Sequence, residues 1–394
     1  MTDFIWELME INEFDKCCDV IVYDLSLFLY PNFSKKTADN SIIKENLVHI
    51  NSIFKLIKNL KKLIATPENK EIYLINQIPK DSYKEALVHL LFFVLFKNIF
   101  SANIETFIGG IPLNIDNSSK KINPYDDLNL SGLVSLFKQL IKKSFLSIPF
   151  FLNKLIPSVT THVFYAGKDW LALAQSRHGD KVAYIPGSSN NYSESILFSN
   201  NNSSSSEKNT AVLLDAPSPK YLTDAVKLGR KMYLTVDDWY PKITSFFDNL
   251  EKATGVTVEI AGHPMSKFSD NEPLFGYRRV TYMQTNERVR ESSFVITRSS
   301  TAISFAIIYN KPIIFIYSNQ LMKDKFAMSN MFYKASILGT TPVNIENELI
   351  DFDQLLLINE EKRLSYKLRC LSSENINRAN SKIIMEDIMC INLN

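Results

Sequence analysis

The chain has 394 residues, with 44 Lys+Arg against 42 Asp+Glu and a formal net charge of +2. So balanced a charge argues against a protein that holds nucleic acid by bulk electrostatics, because such domains are strongly basic. Only 11 glycines occur, about 3% against a usual ~7%, which excludes collagen-like repeats and flexible Gly/Ser linkers.

The N-terminus, MTDFIWELMEINEFD, has no basic region followed by an apolar one and does not read as a signal peptide. The cysteines are Cys17, Cys18, Cys370 and Cys390. They form no CxxC pair and no cluster with zinc-ligand spacing, so reduced thiols in a cytoplasmic protein are expected. DVIVYDL (19–25) reads as a buried strand, and 41–63 has helical periodicity. KEIYLIN (70–76) is a strand and 82–100 a helix, which contains the apolar run ALVHLLFFVLF (86–96). That run is too short to span a bilayer.

Residues 133–156 read LVSLFKQLIKKSFLSIPFFLNKLI, with Lys138, Lys142, Lys143 and Lys154 among many apolar residues. Two readings stay open. A basic amphipathic helix can lie on an anionic membrane surface at the inner face of the membrane. Equally, a helix packed on a sheet can carry a solvated lysine edge.

THVFYAG (161–167) is a strand, 169–175 a short helix and KVAYIPG (181–187) another strand. GSSNNYSES and the run NNNSSSS (200–206) then read as loop or linker. Beyond it AVLLDA (211–216), VTVEIAGHP (256–264), RRVTYM (278–283), SFVITR (293–298) and PIIFIY (312–317) are strands. Helices are expected at 240–253, ending at Gly255, at 285–291, and at SSTAISFAIIYN (299–310) behind a serine cap. Strands alternating with helices imply βαβ units and parallel sheets. The expected class is α/β with two Rossmann-like domains facing a cleft. The boundaries are 1–205, 206–360 and C-terminal helices over 361–394.

No G-x-G-x-x-G, P-loop, G-x-S-x-G or H-E-x-x-H is present, which removes most classical dehydrogenases, P-loop kinases and serine hydrolases. Attention falls on loops at strand carboxyl ends, where open α/β sheets bind ligands. One contains Asp215, one Gly262-His263-Pro264, and one Arg298-Ser299-Ser300-Thr301. In the last, hydroxyls and free N–H groups at a helix start can hold an anion, with Arg298 adding charge, although Ser and Thr also cap ordinary helices. His263 should sit exposed at a strand end, able to protonate or hydrogen-bond a departing phosphate.

GHP (262–264) followed by RSSTAISFAIIYNKPIIFI (298–316) resembles GT-B glycosyltransferases. The resemblance is to bacterial sialyl-, polysialyl- and Kdo-transferases that use CMP-activated acidic sugars and share an HP motif and a later Ser-Ser/Thr motif. It covers roughly 181–320. It implies that His263 stabilises the leaving phosphate and that Ser299, Ser300 and Thr301 hold the phosphate or donor carboxylate. It implies an inverting, metal-independent transfer with no cofactor beyond the CMP-sugar donor, to a cell-surface glycan or lipid-linked acceptor. The adjacent Asp237-Asp238 is not the spaced D-x-D of metal-dependent transferases, and reads as a solvated turn. The general base stays open between Asp215, Asp24 and Glu194, with Asp215 best placed. Asp126-Asp127 is followed by Leu, which breaks the family's acidic motif. Arg278, in FGYRR, pairs with a phosphate or carboxylate, or is a strand-edge charge. The rival readings are a CDP-glycerol glycerophosphotransferase, a UDP-sugar-dependent GT-B enzyme such as a 2-epimerase, and an inactive GT-B-shaped scaffold.

Overall fold

The computed structural model describes residues 3–30, 44–65, 70–78, 83–110, 159–201, 208–220, 231–264, 273–372 and 376–392. The α/β class holds, with parallel sheets in both halves. In the N-terminal half β1 (Val22–Asp24) pairs with β2 (Leu47–His49). A four-stranded parallel sheet follows in the order β3 (Tyr73–Asn76), β4 (Ala102–Phe107), β5 (His162–Ala166) and β6 (Ala183–Gly187).

The C-terminal half carries a six-stranded parallel sheet. Its strands are β7 (Thr210–Leu214), β8 (Thr257–Ala261), β9 (Val280–Thr281), β10 (Phe294–Thr297), β11 (Ile313–Tyr317) and β12 (Val343–Asn344). They lie in the order β12-β11-β10-β7-β8-β9. The chain therefore builds outward from β7 in one direction, returns, and builds outward from β10 in the other. This is the doubly wound order, and its ligand crevice lies where the direction reverses, outside the carboxyl ends of β7 and β10.

The strands are apolar at nearly every position because both faces of the sheet are covered. Alternate residues divide between two cores. Ala211, Leu213, Phe294, Ile296, Ile314 and Ile316 pack with Trp239, Ile243, Phe246, Phe247 and Leu250 of a long helix, Val236–Thr254. Val212, Leu214, Val295, Ile313 and Phe315 face the opposite way, onto the helices Ile303–Ile308 and Lys325–Leu338. The long helix ends at Gly255, whose φ of 72° is the left-handed C′ conformation that glycine adopts without strain.

The C-terminal segment binds both halves. Arg363, on the helix Glu360–Tyr366, donates to Ala306 O at 3.0 Å, while Tyr366 donates to Gly110 O at 2.9 Å. Arg369 pairs with Asp169 at 2.9 Å. Asn380 exchanges hydrogen bonds with the Ser188 backbone at 2.9 and 3.0 Å.

Several expectations change. The stretch 41–63 is no single helix: where it is described, β2 comes first and a helix, Ile53–Ile64, begins after Ser52, whose hydroxyl accepts the Lys55 N–H. β4 (ANIETF) is not legible as a strand from its residues, because the buried polar side chains Asn103 and Glu105 hide the apolar strand pattern. The polar run NNYSES is not a loop but part of a helix, Asn190–Asn201. Its polarity is satisfied internally: Ser193 is fully buried and its hydroxyl accepts the Asn380 N–H. The amphipathic stretch 133–156 and Asp126-Asp127 lie outside the described residues.

Candidate active site

The carboxyl ends of β7, β8 and β10 bring together three of the loops read from the sequence. Asp215 follows β7 and is 6% exposed. Its N–H donates to Ala261 O at 3.1 Å, tying the ends of β7 and β8 together. Its carboxylate accepts the backbone N–H groups of Ala216 and His263. The second carboxylate oxygen, Oδ2, is buried with no hydrogen-bond partner among the described residues. Burial pushes the Asp215 pKa up to about 7, against the opposing pull of Arg298 and the two N–H groups. A carboxylate so placed takes up a proton near neutral pH, which suits a general base.

Arg298 follows β10, directly across the reversal point, and is 8% exposed. Its guanidinium donates to Ser218 Oγ and to Ala216 O, each at 3.2 Å, and to Ser218 O. Arg298 thus clamps the loop that leaves β7 and lends positive charge to Asp215. Its guanidinium hydrogen bonds run to that loop, so the charge expected of Arg298 at the strand end is present and is held by residues 216–218.

Gly262 is held by the bond from its N–H to Thr281 O, 2.8 Å. A Cβ there would stand 2.5 Å from the Tyr282 ring, so any larger residue before His263 would have to displace that ring. His263 and Pro264 are half-buried at that strand end.

Residues 299–301 do not begin a helix. The helix starts at Ile303 with Ala302 as its N-cap. Upstream, Thr297 Oγ1 accepts the Ser300 N–H at 3.0 Å, and Ser300 Oγ accepts the Ala302 N–H at 3.2 Å. These hydroxyl-to-backbone bonds offer the chain an alternative to helical bonding, and so delay the helix. The expected helix-start cradle is replaced by a hydroxyl-rich loop.

Arg278 stands elsewhere. It precedes β9, at the amino side of the parallel sheet. Its guanidinium binds Asp248 and Glu251 of the long helix at 2.7 and 2.6 Å. Of the other base candidates, Asp24 lies at the end of β1 with His49 Nδ1 at 3.1 Å. Glu194 is on the helix Asn190–Asn201, where burial raises its pKa to about 7 against a hydrogen bond from Asn286. Neither is on the β7, β8 or β10 loops.

Sequence reasoning missed Lys334, which reaches from the helix Lys325–Leu338 to donate to Ser299 O at 2.8 Å. It is 6% exposed, and burial lowers its pKa to about 8. A lysine in a helix of mixed polarity usually marks the solvated face, so the sequence carries no signal for it.

No protein-family model and no curated protein matches the chain. Among solved structures it is similar to the S. aureus MnaA-UDP co-structure, at 12% identity and TM-score 0.41, over 89% of this chain and 85% of that one. It is similar to the UDP-GlcNAc 2-epimerase of Methanocaldococcus jannaschii, at 11% identity and TM-score 0.41, over 90% and 88%. It is also similar to the glycotransferase of kitacinnamycin, at 11% identity and TM-score 0.39, over 96% and 94%. Values of this size assign neither a family nor a substrate.

Proposed function

We propose that the protein is a GT-B-type glycosyltransferase that binds a nucleotide-activated sugar at the reversal point of its C-terminal sheet. The observation that carries this reading is Asp215, a buried carboxylate with one oxygen unpartnered among the described residues, at the edge where doubly wound sheets take their ligands. On this reading Asp215 accepts the proton of the acceptor hydroxyl, and the oxygen freed of it attacks the anomeric carbon. The bond from that carbon to the donor phosphate breaks, and the phosphate leaves with the electron pair. His263 hydrogen-bonds or protonates the leaving phosphate, and residues 299–301 supply hydroxyl donors. On this reading the transfer is metal-independent, with His263 and the 299–301 hydroxyls meeting the charge on the leaving phosphate.

Two donor classes fit this chemistry. A UDP-linked sugar, UDP-GlcNAc, is the compound in the name of the 2-epimerases among the similar structures. A CMP-linked acidic sugar is what the HP and Ser-Ser-Thr motifs suggest. The acceptor is a glycan or lipid-linked sugar, and the reading places the reaction in the cytoplasm. Among the described residues no helix is long and apolar enough to cross a membrane. Contact of 133–156 with the inner face of the membrane remains part of the proposal.

Thermal-shift titration with UDP, CMP and CDP tests the reading, since a ligand that binds the folded state raises the melting temperature. Stabilisation by UDP but not CMP selects the UDP donor, and the reverse selects CMP. His263→Ala should abolish sugar transfer or donor hydrolysis while leaving the fold intact. Unchanged turnover in that variant removes the assigned role. Absence of binding by every nucleotide favours the scaffold reading.

A further inference from the structure

Among the described residues Lys334 is a buried cation without a counter-ion. Its ammonium carries three N–H donors, and among the described residues one of them has an acceptor, the neutral Ser299 carbonyl at 2.8 Å. No carboxylate stands within ion-pair distance of it among the described residues. Burial alone perturbs it, with no neighbouring charge contributing. A buried charge is expensive unless it is paired, so an unbalanced ammonium is a preformed site for an anion.

The location narrows what that anion is. The lysine meets the chain at residue 299, in the loop leaving β10 and adjacent to Arg298. Ser300 spends its N–H and its hydroxyl oxygen inside the loop, while Thr301 is exposed. Arg298, the residue before Ser299, is matched by Asp215. Protonated Lys334 therefore adds a positive charge at this loop that no described carboxylate matches.

We propose that Lys334 and residues 299–301 form the seat of an oxyanion carried by the ligand, with Lys334 supplying the charge. The shared chemistry is an oxyanion with a full negative charge, either a nucleotide phosphate or the carboxylate of an acidic sugar. The inference rests on the glycosyltransferase reading for the identity of the ligand, but not for the existence of the seat.

Calorimetric titration of the full chain tests it, with Lys334→Met and Lys334→Arg beside the wild type. The probes are CMP against cytidine, UDP against uridine, N-acetylneuraminate against N-acetylmannosamine, and inorganic pyrophosphate. Lys334→Met should fold, because it replaces a buried charge by an apolar chain of similar length. It should weaken the phosphate-bearing or carboxylate-bearing member of a pair by about tenfold or more, the scale of a charged hydrogen bond, and leave the uncharged member unchanged. Lys334→Arg should restore most of that difference. Loss confined to nucleotides makes the seat a phosphate site, and loss confined to N-acetylneuraminate makes it a carboxylate site. Equal affinities in Lys334→Met and wild type overturn the proposal. So does equal weakening of charged and uncharged members, which marks a purely structural pin on the loop. If the wild type binds no nucleotide and no sugar, the donor reading fails by itself. Pyrophosphate binding lost in Lys334→Met would then still uphold the seat, and no pyrophosphate binding would overturn it.

Discussion

The guanidinium of Arg298 lies over the indole of Trp239, 4.6 Å from the ring centroid. The contact joins the end of β10 to the first turns of the long helix Val236–Thr254. It leaves the edges of the guanidinium free to clamp the loop at 216–218. Trp239 is 1% exposed. Stacking and hydrogen bonding together fix the cation that balances Asp215.

Trp239→Ala should therefore act twice. Loss of so large a buried side chain should cost roughly 3–5 kcal/mol, and Arg298 should lose its platform. Trp239→Phe keeps a ring under the guanidinium and should keep most of the nucleotide-induced thermal shift. Urea denaturation and thermal shift, measured on both variants, separate the two effects.

Asp215 should impose a pH dependence on stability. Its ordinary pKa is 3.8 and burial raises it to about 7. Below the lower value both folded and unfolded chains are protonated there, and no penalty exists. Between the two values the unfolded chain has released its proton while the folded chain keeps it, so stability falls as pH rises. Above about 7 the penalty is complete and the curve flattens. Asp215→Asn should remove this slope and gain on the order of a few kcal/mol relative to wild type at pH 8, with no comparable gain at pH 4. The same variant should lose transfer activity. Urea midpoints across this range provide the check, and an unchanged difference between the two proteins would contradict it.

Gly167 tests the tie between the C-terminal segment and the N-terminal sheet. Its φ is +74°, and a Cβ would meet the Arg369 carbonyl oxygen at 2.4 Å. Both atoms of that clash are tethered to backbone, so neither side can yield cheaply. Gly167→Ala should destabilise by about 2 kcal/mol or more through positive-φ strain and displacement of 369–370. Arg369→Lys keeps a cation opposite the buried Asp169 and should cost roughly 1 kcal/mol or less. A smaller loss in the glycine variant than in the arginine variant would show that the backbone contact is not tight.

Arg278 should matter for stability and not for the donor. Its side chain is fully buried between Asp248 and Glu251. Arg278→Ala should cost roughly 3 kcal/mol, since it removes a buried guanidinium and leaves Glu251 with the Val258 N–H and the Tyr277 hydroxyl but no cation. The nucleotide-induced thermal shift should survive. Loss of that shift with an unchanged urea midpoint would instead put Arg278 at the donor site.

The sequence by itself determined the α/β class, most strands of the four- and six-stranded sheets, and the strand-end loops that hold His263 and Arg298. It could do so because buried parallel strands are short continuous apolar runs, and their ends are marked locally by polar residues and glycine. It misjudged segments whose polarity is satisfied far away. The Asn190–Asn201 helix is one, with Ser193 bound to Asn380. Strand β4 is another, with Glu105 accepting from Thr160. The start of the helix at Ile303 also escaped it, because hydroxyl bonds inside the loop compete with helical ones.

Only the tertiary structure decided which residues share the site. Asp215 and Arg298 are distant in the chain and become neighbours because β7 pairs with β10. Arg278 carries the same charge as Arg298, yet lies at the amino side of its strand, bound to carboxylates. Lys334 joins the loop from a helix that follows β11. Residue type and spacing record what each side chain can do. Sheet order and the direction of each strand settle where it does it.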